Sequence, residues 1–183
     1  NGPDAGNAGD ISFINVENLI GGADNKDTFI FTPGGSINGV IEGGEGGFDS
    51  LLIDGGTYNT VTYNATGLDS GTISRDGDTI TYSGLEPITD NGDAAARVLT
   101  FSDTSQTITI QDDGNLSNGQ ITVTSSASES VTFTCPTTSL TINAGTDADT
   151  IIINKLDNGF NAALFVYAGD GDDSFTVNAH TGS

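Results

Sequence analysis

Short runs in which apolar and polar residues alternate recur from Phe29 onward, each bounded by Gly, Asn, Asp or Ser. The alternation is strict in the middle of the chain, at Ile108/Ile110, Ile121/Val123, Val131/Phe133 and Leu140/Ile142. Successive side chains of a strand point to opposite faces, so this period turns those residues inward and the intervening Thr outward. Ile151 and Phe175 join the expected core by the same rule. Strands are predicted over 29–32, 51–54, 60–63, 79–82, 98–101, 107–110, 120–124, 130–134, 140–143, 150–154, 164–167 and 174–178. No segment sustains a helical period; 90–97 comes nearest and is too short to commit to. Asn118-Gly119, set between two alternating runs, predicts a local antiparallel pair. The chain reads as all-β and as one domain over 1–183.

Four acidic, glycine-rich turns each run straight into an apolar strand: Gly21–Asp27 before Thr28-Phe29, Gly43–Asp49 before Ser50-Leu51, Ala144–Asp149 before Thr150-Ile151, and Ala168–Asp173 before Ser174-Phe175. Glycine permits the positive φ angles that let carbonyls converge. Carboxylate and carbonyl oxygens are what a hard cation such as Ca2+ accepts. The candidate ligands are Asp24, Asp27, Asp49, Asp147, Asp149, Asp170, Asp172 and Asp173. The competing reading is that these Asp side chains cap the turns through backbone N–H groups. Asp27 and Asp49 are 22 residues apart, and Asp149 and Asp173 are 24 apart. Such spacing predicts a right-handed parallel β-helix, or β-solenoid, of about 20–25 residues per coil with one acidic turn per coil. A β-sandwich is the alternative that regular short strands also allow.

Charge narrows the partners. Twenty-five acidic residues, 20 of them Asp, face only Lys26, Arg75, Arg97 and Lys155, for a net charge of −21. That field repels nucleic acid and anionic membrane and attracts cations, although solubility in a salty medium explains it nearly as well. No run has the length of a membrane-spanning helix. Cys135 shares a face with Val131 and Phe133 and reads as an inert small hydrophobe. The one histidine, His180, lies near the end of the chain, so no nucleophile–base pair is visible. Arg75, in a turn between strands, and Arg97, opening a strand, are the candidate bases if the chain is instead a β-helical polysaccharide lyase or hydrolase. Thr-x-Thr at 60–62, 79–81, 107–109, 122–124 and 132–134 raises ice binding as a third class. Their unequal intervals argue against a single Thr face at constant coil length.

The acidic turn, best in Ala168-Gly169-Asp170-Gly171-Asp172-Asp173-Ser174-Phe175-Thr176, resembles the RTX (hemolysin-type) calcium-binding repeat, G-G-x-G-x-D-x-U-x. Departures are Ala168 for the first Gly, Asp147 in the third copy, and an extra residue before the Asp in the first two copies. Val16-Glu17-Asn18-Leu19-Ile20-Gly21-Gly22, Gly84-Leu85-Glu86-Pro87-Ile88, Ser130-Val131-Thr132-Phe133 and Leu140–Gly145 look like a unit of giant repetitive secreted proteins of aquatic bacteria. The resemblance implies a secreted, cell-surface location and a calcium-stiffened, non-enzymatic module of an adhesin, filament or matrix protein. It also implies partners of two kinds, neighbouring modules of the same protein and surface or matrix polysaccharide. The absence of Met and the linker-like ends, Asn1-Gly2-Pro3 and Ala179–Ser183, suit an internal slice joined end to end with others.

Overall fold

Every predicted run coincides with a strand, because alternation reports directly which face of a pleated segment is apolar. The computed structural model describes residues 5–8, 11–14 and 16–178; His180 and the two linker-like ends lie outside them. In chain order the strands are β1 (Ala5–Ala8), β2 (Ile11–Ile14), β3 (Leu19–Ile20), β4 (Thr28–Phe31), β5 (Val40–Glu42) and β6 (Ser50–Ile53). Then come β7 (Thr57–Ala65), β8 (Gly71–Arg75), β9 (Asp78–Ser83), β10 (Ile88–Asp90), β11 (Asp93–Thr100) and β12 (Thr107–Asp112). The last are β13 (Gln120–Ser125), β14 (Val131–Thr134), β15 (Ser139–Asn143), β16 (Thr150–Ile153), β17 (Ala163–Tyr167) and β18 (Ser174–Val177). Among the described residues there is no helix, and so none able to cross a membrane.

The strands form two mixed eight-stranded sheets and a separate β1–β2 hairpin. One sheet runs β18-β16-β12-β13-β14-β10-β6-β4, the other β17-β15-β11-β7-β8-β9-β5-β3. The chain passes from sheet to sheet, and neighbours from successive passes pair in parallel. Each sheet also holds one antiparallel meander. β7–β8–β9 steps forward and returns beside β5, and β12–β13–β14 returns beside β10. Two of the four reversals, β8–β9 and β12–β13, are made at Asx-Gly pairs. Asp76 (φ 49°) and Gly77 (φ 113°) close β8–β9 with two left-handed residues, which matches the twist of a hairpin. Asn118-Gly119 leads into β13, as the sequence predicts.

The core lies between the sheets. Nine of the ten residues expected to point inward are buried, from Ile108 to Ile151. Phe133 is sealed and stacks on Tyr63 with ring centroids 6.1 Å apart. Phe175 is the exception. It pairs with buried Ile151 and so sits in the inward register, yet it is 55% exposed. β18 is the edge strand of its sheet, and among the described residues no strand lies beyond it to cover the ring. The segment 90–97 is strand rather than helix, divided between β10 and β11.

Candidate functional site

The acidic turns stack along one rim of the first sheet. Asp27, Asp49, Gln106, Asp149 and Asp173 each immediately precede one of its strands. Within two groups, 27–49 and 106–149–173, they are joined by a repeated hydrogen bond in which a backbone amide donates to the carboxylate before the neighbouring parallel strand. Asp27 N–H donates to Asp49 Oδ1 at 2.7 Å, Gln106 N–H to Asp149 Oδ1 at 3.0 Å, and Asp149 N–H to Asp173 Oδ1 at 2.9 Å. Carboxylates thus satisfy amides that the ends of the strands would leave open.

The predicted ligands come together in two places, at opposite ends of this sheet. Asp27 and Asp49 meet at β4 and β6; Asp149 and Asp173 meet at β16 and β18. Asp24, Asp147, Asp170 and Asp172 sit exposed on the turn tips. Among the described residues no three His, Cys, Asp or Glu side chains converge as a metal-binding group. The two places differ in how their oxygens are used. Asp27 Oδ2 accepts from Gly22 N–H at 2.7 Å and Oδ1 from Asn25 Nδ2 at 3.0 Å. Asp149 is 2% exposed, and its Oδ2 is buried with no hydrogen-bond donor. Burial raises the Asp149 carboxyl above its usual range, the Gln106 amide opposes the rise, and the charges of Asp173 and Asp147 add to it.

Three polar groups that the sequence reading passed over also matter. Glu129 is buried just before β14, and burial pushes its carboxyl up to about 7. The hydroxyl and amide of Ser130 donate to it and oppose the shift, while Glu86 and Asp69 reinforce it. Tyr63 and Asp90 form a buried network with Arg97. Arg97 Nη1 contacts Asp90 Oδ2 at 2.6 Å and the Tyr63 hydroxyl, and the other nitrogens donate to Thr134 O and Gly92 O. Its guanidinium also lies 5.0 Å from the Phe133 ring centroid. One signal was available, since Arg97 shares its parity with Leu99 and therefore faces inward.

Both candidate bases are buried in the same inward row of the second sheet, on either side of Val61. Arg97 lies inside β11 rather than opening it. Arg75 closes β8 rather than occupying the turn, because the reversal falls at Asp76-Gly77. Arg75 donates to Gly35 O at 2.8 Å and lies over Phe31 and Tyr58, with no carboxylate partner among the described residues. Cys135 is half-buried, and burial pushes its thiol up to about 11, as suits an unreactive side chain. The Thr pairs divide between the sheets. Those at 107–109, 122–124 and 132–134 lie on the adjacent strands β12, β13 and β14, where Thr122 and Thr132 hydroxyls are 2.8 Å apart. The unequal intervals do not scatter these three, because the strands are joined by reversals rather than full coils. Compared with known proteins, the chain matches no family model, no curated protein and no solved structure.

Proposed function

We propose that this chain is a non-catalytic structural segment of a right-handed β-solenoid, exported as part of an adhesin, filament or matrix protein and stiffened by calcium. The observation that carries this reading is a shared offset in both sheets. At one end Leu19 pairs with Ile41 and Thr28 with Ser50, each 22 residues on; at the other Ser139 pairs with Ala163 and Thr150 with Ser174, each 24 on. Two sheets that advance by the same number of residues are what a coiling chain produces. Such a stack grows by adding coils, each contacting its neighbours, which suits a spacer or filament. The burial of Arg75 and Arg97 supports the non-catalytic part, since each is engaged in packing.

The calcium proposal narrows to Asp149 and its neighbour Asp173. The unpaired, buried Oδ2 of Asp149 is an acceptor that wants a donor or a cation, whereas donors already serve both oxygens of Asp27. Calcium there offsets the neighbouring negative charge that raises the Asp149 carboxyl. Held at 100–1,000 times its dissociation constant, it adds about 2.7–4.1 kcal/mol to stability. Two measurements test the proposal. Melting in millimolar calcium should exceed melting in chelator, and equal values would remove calcium from it. Acidic and neutral polysaccharides offered with calcium should be bound, if at all, without turnover; turnover lost on Arg75→Ala or Arg97→Ala would favour the lyase.

A second reading, adsorption to an ordered surface such as ice, draws on the adjacent Thr of β12–β14. It predicts that Thr122→Lys changes crystal growth while leaving stability within about 0.5 kcal/mol.

A further inference from the structure

The buried side chain of Gln106 reaches from its own turn to the turn 144–149. We infer, on the basis of the calcium reading above, that Gln106 is the positioning residue of that site, the group that fixes Asp149 for the ion. It stands immediately before β12, in the rim set that includes Asp27, Asp49, Asp149 and Asp173. Its backbone behaves as theirs does. The Gln106 amide donates to Asp149 Oδ1 at 3.0 Å, and its carbonyl accepts from Thr150 N–H at 2.9 Å. The same pair of bonds links Asp27 to Asp49 and Ser50, and Asp149 to Asp173 and Ser174.

The side chains then diverge. Asp27 folds back onto its own turn, where Gly22 N–H and Asn25 Nδ2 meet its oxygens. Gln106 reaches across instead. Its Nε2 donates to Ser102 O at 3.0 Å and Thr104 O at 3.1 Å in its own turn, and to Ala144 O at 3.1 Å in the next. Its Oε1 accepts from the Ser125 hydroxyl at 2.6 Å, which fixes the carboxamide from the end of β13. One residue therefore holds the first residue of the turn 144–149 by its carbonyl, the last by its carboxylate, and the strand beyond by Thr150 N–H. The chemistry requires an amide here. Three carbonyl oxygens converge on Nε2, so the group between them must donate, and a carboxylate would set acceptor against acceptor.

This clamp bears on the ion through geometry. Gln106 takes one oxygen of Asp149 and leaves Oδ2 buried without a donor. A carboxylate gripped by one oxygen keeps a fixed orientation, and hydrogen-bonded partners behind a metal ligand set both its direction and its affinity. Fixing both ends of the turn also reduces the ordering that binding would otherwise require. Close stacking of the two turns is what lets one side chain span them. A Cβ added at Gly145, where φ is 124°, would stand 2.7 Å from Ser102 O, so only glycine lets the turns approach this closely.

Calorimetric titration of the full chain with calcium, beside thermal unfolding in chelator, tests this. Gln106→Met keeps the length of the side chain and the backbone amide on Asp149 but removes the clamp. It should weaken calcium binding about 10–100-fold, the usual loss when a partner behind a metal ligand is removed. Ser126→Ala is the control, since it removes the acceptor of Thr107 N–H beside the clamp. It should lower stability in chelator slightly and leave the dissociation constant unchanged. If Gln106→Met likewise loses stability but not affinity, its role is structural only and the inference is overturned. Should that variant not fold, Ser125→Ala, which removes the hydroxyl on Oε1, should still weaken binding severalfold; an unchanged constant there overturns the inference too. A parent chain that binds no calcium overturns the proposed function and the clamp together. Calcium bound equally by the parent and Gln106→Met overturns the clamp and leaves the proposed function standing.

Discussion

The turns before β4 and β16 share a motif and a place on the rim, yet they leave their aspartates in opposite conditions. The first has seven residues, 21–27, and the second six, 144–149. In both, the first turn residue extends a parallel-strand ladder: Gly21 N–H donates to Glu42 O, and Ala144 N–H to Tyr167 O. The longer turn has a second amide, that of Gly22, five residues before Asp27 and free to cap its carboxylate. Five residues before Asp149 stands Ala144, whose amide is already committed. The extra residue of the first turn supplies the amide that caps Asp27, and the shorter second turn has no free amide at the matching place for Asp149. Matching an acidic motif does not by itself make a cation site; the count of donors around the carboxylate does.

A lesion in the shared core sets the scale for breaking this comparison. Phe133→Ala should cost about 3–5 kcal/mol in denaturant unfolding, equally with and without calcium. Asp149→Asn should abolish the calcium-dependent gain of about 2.7–4.1 kcal/mol, while Asp27→Asn should leave it intact. If Asp27→Asn removed the gain instead, the assignment of the two turns would be reversed. Asp49→Ala removes the acceptor of the Asp27 amide and should cost about 1–3 kcal/mol, independent of calcium.

The smallest expected effect is on pH dependence in chelator. The native carboxyls of Asp149 and Glu129 are raised, so the folded chain holds these protons more tightly than the unfolded chain. Their contribution is greatest below the unfolded values and declines as pH rises; for Glu129 the decline runs from its ordinary 4.5 to about 7. Glu129→Gln should flatten that decline, and Asp149→Asn should flatten the part belonging to the short turn. Thermal unfolding across pH 4–8 checks both.

Much of the fold could be read from the alternation, because parity alone assigns Ile108 or Phe133 to a face. Parity does not say whether anything lies beyond an edge, and so Phe175 is inward in register but exposed. The 22- and 24-residue spacings describe the two ends, where the sheets advance together. The middle departs from them, since the β7–β8 and β12–β13 reversals insert antiparallel strands between the parallel ones. Asn118-Gly119 announces the β12–β13 reversal and Asp76-Gly77 the β8–β9 return, but only long-range pairing shows how far each strand returns. The rim aspartates were legible as a set. Their division into capped and uncapped was not, because it depends on Gly22, Ala144 and Gln106, residues whose side chains advertise nothing.

Calcium titration followed by backbone amide chemical shifts tests the central claim most directly. The account predicts a single ion, with shifts confined to the turns 144–149 and 168–173, and loss of binding in Asp149→Asn. Equal shifts in the turns 21–27 and 43–49, or none anywhere at millimolar calcium, would contradict it.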